Sequence, residues 1–172
     1  MNDKQQTYKV LAIDPGIIHT GYSIIETNGT IFKCLTHGSI SPKRDLEFSS
    51  RLAKIYNDIS FIIKKYNPSC AAMEDIFVCK NPRSALVLGH ARGSIILALE
   101  HANIKLYEYT SRDVKKQITG FGNADKEQVL FMVKKILGKE LADIKSLDAS
   151  DALGIGLCHI FRSKFSVLCK SR

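Results

Sequence analysis

From Tyr8 to Ile13 the chain reads YKVLAI, an apolar run that predicts a buried strand. Asp14-Pro15-Gly16 forces a turn at its end. Gly21 to Glu26 predicts a second strand, Asn28-Gly29 a hairpin turn, and Thr30 to Leu35 a third strand, so the chain opens as an antiparallel meander. Phe48, Leu52, Ile55, Ile59, Ile62 and Tyr66 then recur at helical spacing, which predicts an amphipathic helix from about Glu47 to Tyr66, stopped by Asn67-Pro68. Cys70 to Met73 is a short apolar strand ending at Glu74. Asn81-Pro82 has the form of a cap and first turn for a helix reaching about Ala102. Ile104 to Tyr109 is a fifth strand. Three helices follow: a short one capped by Thr110 or Ser111 and ending near Gly120, another over Asp125 to Leu137, and a last one over Ser146 to Phe161.

Three strands followed by strand–helix alternation predict an α/β fold. Its mixed five-stranded sheet has the first three strands antiparallel, the later strands parallel to the first, and helices on both faces. Residues 8–161 make one domain, flanked by an N-terminal extension at 1–7 and a basic tail at 162–172. With 172 residues, 45% apolar and 24% charged, the chain is ordinary globular material. No stretch approaches the roughly 20 apolar residues needed to span a bilayer. The polar N-terminus lacks a secretory core. The five cysteines are odd in number with no C-x-x-C pair, which argues against zinc or a disulfide framework and for reduced thiols in the cytoplasm. The excess of 25 Lys and Arg over 17 Asp and Glu, +8 in all, favours a polyanionic partner such as nucleic acid.

The acids sharpen this. Asp14 and Glu74 each end a strand, and in a sheet where those strands are parallel neighbours both emerge at the carboxyl edge, where such sheets place ligands. Asp148 and Asp151, three apart on a helix, share a face. Asp151 adjoins the small apolar surface of Ala149, Ala152, Leu153, Gly154, Ile155 and Gly156. The two glycines cost about 1 kcal/mol each in a helix interior, which implies close packing there. Asp75 is discounted because neighbouring strand residues point to opposite faces. Two carboxylates about 4 Å apart repel by about 4 kcal/mol at an effective dielectric near 20. Four together therefore call for divalent cations, and all-oxygen ligands favour Mg²⁺, with Mn²⁺ as substitute. Two such ions roughly 4 Å apart suit in-line attack of water on a phosphodiester.

These residues occur in a longer pattern. Ile13-Asp14-Pro15-Gly16, Thr20-Gly21-Tyr22, Met73-Glu74-Asp75-Ile76-Phe77, Leu88-Gly89-His90-Ala91-Arg92-Gly93, Val114-Lys115-Lys116, Gly120 to Lys126 and Asp148-Ala149-Ser150-Asp151-Ala152-Leu153 follow one another in order. In this the chain resembles the RuvC family of bacterial Holliday-junction resolvases, from about Val10 to His159. The resemblance implies a ribonuclease H-like fold. It also implies a homodimer that nicks four-way DNA junctions symmetrically in homologous recombination and repair, partnered by a branch-migration motor. The family's acidic tetrad falls on Asp14, Glu74, Asp148 and Asp151, its aromatic near the crossover on Phe77, and its functional lysines on Lys115 and Lys126. Phe77 follows a strand end, where it can stack on an unpaired base. Lys126, expected among the catalytic residues, starts a helix against the dipole, which hints at a phosphate partner. Lys115 and Lys116 are expected to join Lys80 and Arg83 along the DNA-binding cleft. Gly89 and Gly93 admit a close neighbour, either a second copy or this chain's own sheet. His159 reads as a packed residue. Two alternatives keep part of this reading: a nuclease of the same superfamily acting on RNA, and a junction binder without catalysis. Four acids in the cleft of a polyanion binder argue against the latter.

Overall fold

The computed structural model describes residues 7–75, 81–138 and 147–170, with side chains given for all of these except 147–148 and 164–170. Phe77 and Lys80 lie outside the described residues, and so does the side chain of Asp148.

Strands β1 (Tyr8–Asp14), β2 (Thr20–Thr27), β3 (Phe32–Ile40), β4 (Cys70–Glu74) and β5 (Leu106–Tyr109) form one sheet in the order β3-β2-β1-β4-β5. β1 pairs antiparallel with β2 and β2 with β3, whereas β1–β4 and β4–β5 are parallel, as the pattern predicts. β1 is central, and Val10 to Ile13 are all 0% exposed. A strand covered on both faces has no polar side to present, hence its unbroken apolar run.

Alternation along β1 divides the core in two. Leu11 and Ile13, with Ile24, Ala71 and Met73, face α1 (Phe48–Tyr66) and α2 (Pro82–His101). Val10 and Ala12, with Ile25 and Ala72, face α3 (Ser111–Thr119), α4 (Lys126–Leu137) and α5 (Leu147–Lys170). Local signals set the helix ends. The side chains of Asn81, Thr110 and Asp125 accept hydrogen bonds from the main-chain N–H groups of Arg83, Asp113 and Gln128. Gln128 answers the Asp125 main chain to complete a capping box.

Several boundaries differ from the sequence-based expectation, among them that of β5, which starts at Leu106 and not at Ile104. The β2–β3 turn takes in Asn28 to Ile31, because the Asn28 carboxamide accepts from the N–H groups of both Thr30 and Ile31, at 2.9 and 2.8 Å. β3 therefore starts at Phe32 and runs on to Ile40. Its polar second half, Thr36 to Ser39, hides the strand in the sequence. Gly38 there is pressed against the Tyr22 ring, where a Cβ would come within 2.9 Å of the hydroxyl. Finally, α5 continues past Phe161 to Lys170, so the basic segment extends a helix.

α5 reaches the sheet through a glycine. A Cβ on Gly156 would stand 2.8 Å from Ile25 Cδ1 and 3.1 Å from Ala12 Cβ, so that turn of α5 rides directly on β1 and β2. Gly154 would meet Val114 and Val129 only at ordinary contact distances of 3.5 and 3.6 Å. Of the two glycines singled out in the sequence, Gly156 is the close approach.

Candidate nuclease active site

The parallel pairing of β1 and β4 runs through Ile13 and Met73, so the next residue on each strand, Asp14 and Glu74, ends beside the other at the carboxyl edge. Both belong to the alternation of Ala12 and Ala72 and thus face the α3–α4–α5 layer. Asp14, Glu74, Ser111, Lys115, Lys126 and Asp151 line an open cleft of about 250 Å³, with Val114, Val129 and Ile155 as its apolar walls. Of the expected site residues, the structure gathers three carboxylates and two lysines. Asp148 lies in α5 one turn before Asp151.

The cleft is electrostatically loaded. Burial pushes the Glu74 carboxyl above its ordinary value. A hydrogen bond from Ser111 opposes this, the negative charge of Asp151 adds to it, and Lys126 and Lys115 pull the other way. Lys126 Nζ, at the first position of α4, reaches Asp151 Oδ2 at 3.0 Å across the cleft mouth. A lysine ammonium thus neutralises one carboxylate at the place where a cation is wanted. Among the described residues no three His, Cys, Asp or Glu side chains converge closely enough to hold an ion by themselves. The donors that face the cleft are nonetheless hard oxygens, and a buried carboxyl destabilised by a second one is eased by a divalent cation between them. The chemistry of the donor set fits Mg²⁺ or Mn²⁺.

Other expected residues are placed elsewhere. Lys116 is exposed on α3 and Arg83 is exposed in the first turn of α2, and neither lines the cleft. Asp75 points away from it: its carboxylate is 4.0 Å from Arg92 Nη2 on the α2 side. His159 is a packed residue, 4% exposed, with Nδ1 2.8 Å from the Tyr109 hydroxyl and Nε2 3.3 Å from the Cys70 thiol. Burial lowers its pKa and pushes Cys70 up to about 11 and Tyr109 to about 12, so the cluster is neutral and supports β4, β5 and α5 from within. Sequence reasoning gave Ser111 no part in the site beyond a possible helix cap. Only the fold shows that it hydrogen-bonds Glu74.

The family description "Crossover junction endodeoxyribonuclease RuvC" matches residues 10–159. This chain belongs to the RuvC family. It is 46% identical to the crossover junction endodeoxyribonuclease RuvC of Caldicellulosiruptor saccharolyticus over 157 residues, covering 90% of this chain and 93% of the relative. With that of Desulforamulus reducens it is 44% identical over 151 residues, covering 87% and 91%. Among solved structures, Thermus thermophilus RuvC in complex with a Holliday junction substrate superposes with a TM-score of 0.86 at 28% identity, covering 92% of this chain and 96% of that one. The mixed sheet is therefore the ribonuclease H-like fold of the RuvC nucleases, and the expectation of a junction nuclease, which the resemblance implied, holds at the level of the family.

Proposed function

We propose that this chain is a structure-specific endonuclease that resolves four-way DNA junctions by paired symmetric nicks in recombination and repair, with residues 8–161 as a single nuclease unit. The observation that carries the reading is the convergence of Asp14, Glu74 and Asp151 with Lys115 and Lys126 in one cleft of a RuvC-family fold. Asp14, Glu74, Asp148 and Asp151 would hold the divalent cations. Two ions held there would supply activation of the attacking water and charge stabilisation at the leaving oxygen.

The rest of the work falls to the chain. Lys115 and Lys126 bring positive charge to the scissile phosphate. With a cation held by Asp151, Lys126 would be released from that carboxylate and free to meet the phosphate. In the free protein its ion pair offsets the charge of Asp151, one of the cleft carboxylates. The apolar walls Val114, Val129 and Ile155 limit bulk water and so strengthen these interactions. Lys116 and Arg83 contribute to the longer-range field on the DNA, with Phe77 and Lys80 as further contacts. The site of action under this reading is the cytoplasm, beside a branch-migration motor.

Cleavage of a synthetic four-way junction, compared on gels with linear duplex and an RNA–DNA hybrid in Mg²⁺, tests the reading. Junction-only nicking at symmetric positions is expected, with log affinity falling linearly with log salt. Cleavage of the hybrid alone would instead make the chain an RNA-processing nuclease. Junction binding with no cleavage of any substrate would make it a binder.

Paired nicks call for a second copy, and α2 offers the surface. Leu86, Gly89, Gly93 and Leu97 make a stripe along its outer side, with Leu86 64% and Leu97 50% exposed. A Cβ on Gly89 or Gly93 would meet nothing within 4 Å, so this chain's own sheet does not require glycine at either position. A facing helix would. Leu86→Glu, at so exposed a position, leaves the monomer folded and is expected to halve the mass seen by light scattering. An unchanged mass would remove α2 from the interface.

A further inference from the structure

Arg92 is a single arginine in the otherwise small and apolar run from Ala85 to Leu99 apart from His90. It lies on α2, across the sheet from the cleft, and its side chain is only 12% exposed. Its guanidinium uses one nitrogen to donate to the main-chain carbonyl of Glu74 and the other to donate to the carboxylate of Glu108 on β5. Asp75 stands 4.0 Å from that second nitrogen. One planar fork thus clamps the carboxyl ends of β4 and β5 from behind. Glu74 is the last residue of β4, and the final cross-strand bond after it runs from Asp75 N–H to the Tyr109 carbonyl at 2.8 Å.

We propose that Arg92 is a positioning residue for Glu74, fixing the end of β4 so that the Glu74 carboxylate is presented to a divalent cation on the opposite face of the sheet. The inference rests on the reading of Glu74 as a metal ligand. Its physical ground is that a strand-terminal residue has a partner on only one side of its main chain. A carboxylate carried there inherits any fraying of the strand end, and a ligand misplaced by a fraction of an ångström binds its ion poorly. Groups that orient a ligand change metal affinity by about 10–100-fold. Arg92 acts on the main chain and not on the carboxylate, which places it at the lower end. Lysine cannot substitute, because a single ammonium cannot span two strands as the fork does.

Mn²⁺ titration calorimetry on the full chain without DNA tests this with Arg92→Lys, Glu108→Gln and Glu74→Gln. Arg92→Lys should raise the Mn²⁺ dissociation constant about tenfold. Glu108→Gln, at a position 42% exposed and so safe for folding, should raise it in the same direction by less. Glu74→Gln should abolish the tight site. Parent-like Mn²⁺ binding in both Glu108→Gln and a folded Arg92→Lys, with only a lower melting temperature, would show that Arg92 merely braces the sheet and overturn the proposal. Parent-like binding in Glu74→Gln would overturn it by the other route, by removing Glu74 as a ligand.

Discussion

Asp14→Asn should abolish junction nicking while leaving junction binding intact. The substitution keeps the side chain's shape at the end of β1 and removes only its charge. In the cleft that charge faces Glu74, whose own carboxyl burial already disfavours in its ionised form, and Asp151, which Lys126 partly neutralises. In the proposed metal site, losing one of the carboxylates would weaken the hold on a divalent cation. An ion that activates water and steadies the leaving oxygen supplies several kcal/mol of transition-state stabilisation. A loss of about 4 kcal/mol corresponds to about a thousandfold in rate. Binding has a different origin. Under the proposed function it comes from the basic residues assigned to the phosphates, and deleting a negative charge beneath the DNA would relieve repulsion, so affinity measured in Ca²⁺ or without metal is expected to hold or tighten. The check is a single-turnover nicking rate beside a gel-shift affinity on the same four-way junction. Nicking within tenfold of the parent would take Asp14 out of the metal site. Lost binding with preserved nicking would reverse the assignment of charge in the cleft.

How far the sequence leads differs from element to element, for physical reasons. β1, β4 and the helices are legible because burial on both faces, helical periodicity and capping residues are local signals. β3 is only half legible. Its second half pairs at the sheet edge through main-chain bonds that need no particular side chain, and Gly38 reads as a break although it is there for the Tyr22 ring. In the site, Asp14 and Glu74 are legible together since strand ends and a parallel pairing suffice to bring them to one edge. The ion pair between Lys126 and Asp151 is not, because it joins α4 to α5 across a fold that must first be built. Charge pattern made Lys126 a phosphate ligand, and its resting partner turns out to be one of the acids. Arg92 marks the limit in another way. A lone arginine in an apolar helix signals a buried partner, but the sequence does not say that the partner is the main chain of Glu74 at the end of β4.

The second large effect belongs to the contact that sets Asp151. Gly156→Val should lower stability by about 3 kcal/mol, the upper part of the usual range for overpacking, and lower the melting temperature by about 6–12 °C for a chain of this length. The cause is the absence of room. Ile25 Cδ1 is the end of a flexible side chain and can turn aside from a new Cβ 2.8 Å away, but Ala12 Cβ, 3.1 Å off, is fixed to the central strand. Valine's two further methyls then have nowhere to go, and relief comes only by lifting α5 from the sheet. Asp151 rides on the same helix, just over a turn earlier, so the displacement also spoils the cleft, and nicking by the folded fraction should fall beyond what lost stability explains. Gly154→Ala is the control. Its Cβ meets Val114 and Val129 at ordinary contact distance, and alanine gains about 1 kcal/mol over glycine in a helix, so this variant should be as stable as the parent or more so. Thermal melts of both, read beside nicking rates, decide the matter. If Gly156→Val melts with the parent, α5 does not rest on β1 through this glycine, and the position of Asp151 must be set by its neighbours in α3 and α4 instead.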